Sequence, residues 1–170
     1  MPETYTDAIA KLKADHDQTE ALFAKAKEAG PAETRRIGIQ VCNLVKIHMT
    51  LEEEFFYPAL RGKAEDEAKL TEGLVEHDSG KVLINDLLSG DNDDETFGPK
   101  LQVLGEQMEH HHKEEEEREE GVFAQARKAG IDLVAMLEAM LTREAALKAE
   151  LKAGDLPDAE TLYVDTAQTG

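Results

Sequence analysis

Along most of the chain, apolar residues recur at intervals of three and four, the spacing of a helix that buries one face. A first stretch, about residues 5–28, places Ile9, Leu12 and Phe23 on one side. Thr4 or Thr6 is available as its cap, and Ala29-Gly30-Pro31 as its stop. A second, about 32–60, carries Ile37, Val41, Leu44, Val45, Phe55 and Phe56. Pro58 is expected to kink or end its last turn, and Gly62 marks the break. A third, about 65–88, carries Leu70, Leu74, Val82, Ile84 and Leu88; Gly73 and Gly80 weaken it without stopping it. Ser89-Gly90-Asp91-Asn92-Asp93-Asp94 forms a loop. A fourth, about 95–128, holds Leu101, Leu104, Met108, Val122 and Phe123, with Gly121 a point of interruption. Ala129-Gly130 separates it from a fifth stretch at about 131–152.

No segment alternates with a period of two. The pattern predicts an all-α protein. Residues 1–130 form an antiparallel up-down four-helix bundle. Residues 131–152 form an additional C-terminal helix packed on or extending it. Residues 153–170, with Gly, Pro and small polar side chains, form a flexible tail.

Charge narrows the functional classes. The 170 residues include 19 Lys plus Arg against 37 Asp plus Glu, a net charge of −18. Such a chain has no electrostatic means of holding nucleic acid or an anionic membrane. The single cysteine, Cys42, excludes an intramolecular disulfide framework and a cysteine-rich metal site. No apolar run reaches a membrane span, and the first residues lack the pattern of a secretory signal, so the expected compartment is the cytoplasm. No Ser-His-Asp arrangement, phosphate loop or nucleotide fingerprint is present, and no catalytic residue is assigned.

Acidity is densest at Lys113-Glu-Glu-Glu-Glu-Arg-Glu-Glu120, inside the fourth predicted helix. Most of it reads as a solvated face. Because the two ends of that helix are apolar, some of these carboxylates are expected to point inward.

The six histidines sharpen the picture. His16, His48, His77 and His111 each continue an apolar stripe on a different bundle helix. On the second helix, Ile37, Val41, Leu44, His48, Glu52 and Phe55 step by threes and fours. The third gives Leu70, Leu74, His77, Lys81, Ile84 and Leu88. The fourth gives Leu101, Leu104, Met108, His111, Glu115 and Val122.

Height agrees with face. The midpoints of His16/His48, His48/His77 and His77/His111 fall at the three predicted turns, so the four lie in one layer of an antiparallel bundle. Buried polar groups without partners cost several kcal/mol by transfer arguments. A metal would satisfy all of them at once.

His48-x-x-x-Glu52 and His111-x-x-x-Glu115 each bring an imidazole and a carboxylate to one face. With His16 and His77 they offer His16, His48, Glu52, His77, His111 and Glu115 as ligands. That set is too large for one tetrahedral zinc and suits two iron or manganese ions. Spacing alone does not choose among iron, manganese and zinc. In the His110–His112 triplet, His110 points away from the stripe, while His111 and His112 flank it. His111 with Glu115 is the preferred register, and His112 with Glu116 is the alternative.

These residues resemble the hemerythrin-like, HHE cation-binding family over about residues 5–128. The resemblance rests on Asp15-His16-Asp17, on His48-Met-Thr-Leu-Glu52-Glu-Glu-Phe-Phe-Tyr57-Pro58, on Glu76-His77-Asp78, and on His110-His-His-Lys-Glu-Glu-Glu-Glu117. It implies two non-haem irons bridged by Glu52 and Glu115, with His16 and His48 on one iron and His77 and His111 on the other. It further implies oxygen, peroxide or nitric oxide as the small ligand.

Two positions depart from the family. The oxygen carriers have a second histidine one turn after the third-helix histidine, where this chain has Lys81. Many members show Phe-Pro where this chain has Val122-Phe123-Ala124. Lys81 leaves a coordination position open and sets an ammonium beside the site, which points away from reversible oxygen carriage. Asp17 and Asp78 follow ligand histidines as surface charges or as groups that orient them. Tyr57 reads as packing. Met108, Leu44, Leu74, Leu104 and Phe55 are expected to shield the site. Redox or gas chemistry is the leading reading. The competing reading is an iron-handling or metal-sensing module, read through the fifth helix by an unidentified protein partner.

Overall fold

The computed structural model describes residues 4–166. Helix α1 (Ala8–Glu28) is capped by Asp7, whose carboxylate accepts from the Ala10 N–H at 3.0 Å. The start thus lies beyond Thr4 and Thr6, at a residue type better suited to capping. α2 (Pro31–Leu51) opens on its proline. It runs into a π-helical turn, Glu52–Phe56, and then α3 (Tyr57–Leu60). α4 (Glu67–Leu88) and α5 (Asp94–Glu115) are capped by Asp66 and Asp93. A short α6 (Val122–Lys128) and a long α7 (Leu133–Ala153) follow. Among the described residues there is no strand, and no helix is long and apolar enough to cross a membrane.

α1, α2, α4 and α5 form the bundle, each packed on its neighbours in chain order and α5 closing on α1. α7 lies against α1 and the π turn. The core is split in two. One cluster gathers Ile9, Leu12, Leu51, Phe56, Leu70, Phe123 and the inner face of α7. The other gathers Ile37, Val41, Val45, Met49, Ile84, Leu101, Leu104 and Met108. A slab of buried polar side chains lies between them.

Three features differ from the sequence pattern. The second helical stretch ends at Leu60, two residues past Pro58, but it is not regular up to that point. In the π turn, the Tyr57 N–H donates to the Glu52 carbonyl, five residues back. One extra residue enters the turn just before the proline that cannot donate. The inward face then shifts by one position, so Phe56 and Tyr57 are buried where the stripe pointed to Phe55.

The fourth helix ends at Glu115. Residues 116–120 turn outward, with Glu117 accepting from the Glu119 and Glu120 N–H groups. Gly121 passes so close that a Cβ there would sit 2.6 Å from the carbonyls of Glu115 and Glu117. Most of the acidic run is therefore solvated turn rather than mid-helix.

The third difference is the tail, expected to be flexible. Through Thr166 it is docked on α2 and α4, whereas residues 167–170 lie outside the described residues. Leu156 is buried. The Lys46 ammonium donates to the Pro157 carbonyl, and Asn85 pairs both ways with the Ala159 backbone. Asp78 accepts three backbone N–H bonds, from Leu162, Tyr163 and Val164. Side chains bonding to backbone hold this segment, and hydrophobic periodicity does not register such packing.

Candidate metal centre

The polar slab is built by the four bundle helices. His16 comes from α1, His48 from α2, His77 from α4 and His111 from α5; Glu52 opens the π turn and Glu115 closes α5. All six residues are at most 5 % exposed. The imidazoles meet in pairs, with Nε2 of His16 3.2 Å from Nε2 of His48, and Nε2 of His77 3.0 Å from Nε2 of His111.

The two carboxylates run between the pairs. Glu52 places Oε1 2.6 Å from His48 Nε2 and Oε2 3.1 Å from His77 Nε2. Glu115 Oε1 lies 3.2 Å from His111 Nε2 and 3.4 Å from His16 Nε2. Two groups of four candidate ligands result, His16/His48/Glu52/Glu115 and Glu52/His77/His111/Glu115.

The outer nitrogens explain the orientation of the rings. Asp15 of α1 sits 2.9 Å from His48 Nδ1, and Glu53 of the π turn 2.8 Å from His77 Nδ1. Glu76 of α4 sits 3.0 Å from His111 Nδ1, and Glu116, just past α5, 2.7 Å from His16 Nδ1. Each helix thus braces the imidazole of the next, around the ring and back to α1. A carboxylate at Nδ1 fixes the proton there and turns the Nε2 lone pair inward.

Four inward lone pairs facing carboxylates repel one another unless a cation stands among them. In keeping with this, Glu52 Oε1, Glu52 Oε2 and Glu115 Oε1 are buried with no hydrogen-bond partner. An orphaned buried acceptor is costly, and three in one place mark a position built for positive charge. The donor set, nitrogen and oxygen without sulfur, suits iron, manganese or zinc.

Without a metal, protons take that role. Burial opposes charge on His48, but Glu52 and the bond to Asp15 outweigh it and push the imidazole up to about 9. Burial is likewise outweighed at His111, by Glu115 and Glu76, and its imidazole rises to about 10. His16 rises well above its ordinary range, because Glu115, Glu116 and Glu52 overcome burial. Burial and the charge of Glu52 both act against ionised Glu115, yet the His111 and His16 imidazoles hold it down at about 2. Glu52 is also held well below the carboxylate range, burial being overcome by His48, His16 and His77.

Tyr57 does more than pack. Its hydroxyl donates to Glu115 Oε2 at 2.9 Å. Burial and the nearby Glu115 and Glu52 charges raise this phenol well above its ordinary value, so it stays a donor. α4 comes close because residue 73 is glycine: a Cβ there would collide with the Tyr57 hydroxyl.

The roles proposed for the acidic neighbours also change. Asp17 is exposed, and Asp78 anchors the tail. The bracing carboxylates are Asp15 and Glu76, which precede His16 and His77, and Glu53 and Glu116, which follow Glu52 and Glu115. Lys81 does not aim at the centre. Its ammonium donates to Glu53 at 2.7 Å and to the Glu160 carbonyl at 2.8 Å. Of the expected shielding residues, Leu74, Leu104 and Met108 are buried; Leu44 and Phe55 are only partly so.

His112 is buried as well, stacked on His16 with centroids 3.7 Å apart, whereas His110 is exposed. Burial, with His16 and His48 nearby, pushes His112 down to about 2, so it is neutral. Glu116, its partner in the alternative register, is occupied at His16 Nδ1.

Beside His111 is a cavity of about 260 Å³, lined in part by Tyr57, Glu76, His111 and Glu115. It gives a small molecule room on that side of the centre. Residues 7–126 match the family described as Hemerythrin HHE cation binding domain. No curated protein and no solved structure gives a significant match.

Proposed function

The chain belongs to the hemerythrin HHE cation-binding domain family, and we propose that its cation is iron, held as a pair for redox or gas chemistry. His16 and His48 would hold one ion, His77 and His111 the other, with Glu52 and Glu115 spanning both. The observation that carries this reading is the set of three unpartnered carboxylate oxygens facing inward imidazole nitrogens. Bound iron would supply electrons and open coordination positions for oxygen, peroxide or nitric oxide.

The chain's own residues do the rest. Asp15, Glu53, Glu76 and Glu116 keep the four rings in one tautomer and orientation. The Tyr57 hydroxyl holds Glu115 from behind. The two apolar clusters keep water from the centre along the bundle axis. Lys81, in place of a histidine, supplies no imidazole beside His77, and the cavity reaches the centre separately, at His111 and Glu115.

A second reading draws on how the C-terminal segment is attached. Buried Lys11 joins Asp15 to Glu144 of α7, and Lys81 joins Glu53 to the tail. Occupancy of the centre is thereby tied to two peripheral elements that a partner protein could sense.

The test is iron content followed by steady-state peroxide assay. Protein expressed in iron-replete medium is expected to carry about two irons per chain and to consume peroxide repeatedly. Two irons without turnover would favour the sensing reading. One zinc, with no iron uptake by the metal-free protein, would overturn the iron pair.

A further inference from the structure

We propose that the cavity beside His111 is the route by which a divalent cation enters the centre, and that Glu76, His110 and Glu114 hold the cation at its mouth. The inference rests on the metal-pair reading above and concerns how the pair is filled.

The centre is closed along the bundle axis. Apolar clusters pack on it from both ends, and a bare charge crosses such packing only at high cost. A larger cavity, about 620 Å³, lies along α1 and α5, and none of the six candidate ligands lines it. The cavity of about 260 Å³ does reach them, at His111 and Glu115. Glu115 is 2 % exposed, and its Oε1 has no hydrogen-bond partner. A buried acceptor without a counter-charge thus belongs to the cavity's inner wall.

The outer wall is acidic. Glu72 and Glu76 of α4, one turn apart, line it together with Glu114 and Glu117. The one lysine in the lining, Lys69, is engaged with Glu120, its ammonium 3.3 Å from the carbonyl and 3.6 Å from the carboxylate. Negative charge alone marks nothing in a chain of net charge −18. Here an imidazole joins it. His110 Nε2 lies 3.2 Å from Glu114 Oε1 and 3.7 Å from Glu76 Oε2. One donor atom from each of Glu76, His110 and Glu114 lies within 4.8 Å of the other two. This is the same nitrogen-and-oxygen chemistry that the centre offers.

Glu76 joins the two places. Its Oε1 sits 3.0 Å from His111 Nδ1, and its Oε2 faces His110. A cation held at the mouth is therefore one carboxylate away from an inner ligand. A cleft lined by one sign of charge concentrates the opposite ion and speeds its capture by about 10–10³-fold.

The test is the rate of cobalt(II) uptake by metal-free protein, followed by stopped-flow absorbance, beside the amount bound at equilibrium. Glu72→Gln/Glu114→Gln removes two charges at exposed positions that brace no inner ligand. It should slow uptake by about 10-fold or more at low salt, with a difference that shrinks as salt rises. It should still bind two ions per chain. Glu95→Gln/Glu106→Gln removes two exposed charges elsewhere on α5 and should leave the rate within about twofold of wild type. Once the centre is full, excess cobalt should occupy a third, weaker position that His110→Ala abolishes.

Equal rates for wild type and Glu72→Gln/Glu114→Gln would overturn the proposal. Equal slowing by both double variants would overturn it too, since net charge alone would then set the rate. So would a Glu72→Gln/Glu114→Gln protein that loses bound metal at equilibrium, or a wild type that takes no third cobalt. Wild-type protein that binds no pair of cobalt ions would instead refute the metal pair itself, and this inference with it.

Discussion

Glu52→Ala is expected to empty the centre, Glu53→Ala to weaken it, and Glu117→Ala to leave it intact. Glu52 is fully buried, and its two oxygens lie against opposite imidazole pairs. Its loss removes a ligand from both positions at once. Glu53 touches no candidate ion; it holds His77 by Nδ1 and takes the Lys81 ammonium. A bracing group of this kind is worth about 10–100-fold in metal affinity. Glu117 is exposed and only accepts from the turn that follows α5. Metal per chain, measured after dialysis against a weak chelator, should therefore rank wild type and Glu117→Ala first, Glu53→Ala next and Glu52→Ala last. Equal losses from all three would mean that the inward register is wrong.

Metal should also raise the melting temperature, and by more at alkaline pH. A ligand present at a thousand times its dissociation constant stabilises the folded state by about 4 kcal/mol. For a chain of this size that corresponds to about 8–16 °C. The pH trend follows from the protons that replace the cation. His48 and His111 titrate near 9 and 10 in the metal-free fold, above their ordinary 6.5. Their contribution is complete below pH 6.5 and disappears as pH rises through 9 and 10. Glu115, lowered to about 2, acts oppositely: its contribution is present above pH 4.5 and is lost as pH falls through 2. The metal-free protein should thus melt at progressively lower temperature between pH 6.5 and 10. The loaded protein, whose imidazoles hold metal instead of protons, should change much less. A gap between the two that narrows over this interval would contradict the electrostatics of the centre.

How much of this was legible in the sequence depends on the residue. Apolar spacing located the four bundle helices and α7, and the same spacing carried His16, His48, Glu52, His77, His111 and Glu115 inward. Tyr57 was hidden because it lies five residues after Glu52, which shares a face only when a π turn intervenes. Asp15, Glu53, Glu76 and Glu116 were hidden for another reason. Each braces a histidine on a different helix, so no spacing within one helix points to the pair. The tail illustrates the same limit. Along the chain Asp78 and Lys81 stand out only as neighbours of His77, and Asn85 not at all; their hold on the tail shows only when the backbone of residues 159–164 is laid across them.

The central claim is that two ions share one carboxylate-bridged layer, and anomalous scattering at the iron edge from crystals of iron-loaded protein tests it most directly. Two peaks are expected in the layer, one beside His16 and His48 and one beside His77 and His111, with Glu52 and Glu115 reaching both. A single peak, or iron bound only at the Glu76/His110/Glu114 cluster, where His110 and Glu114 are exposed, would contradict the account.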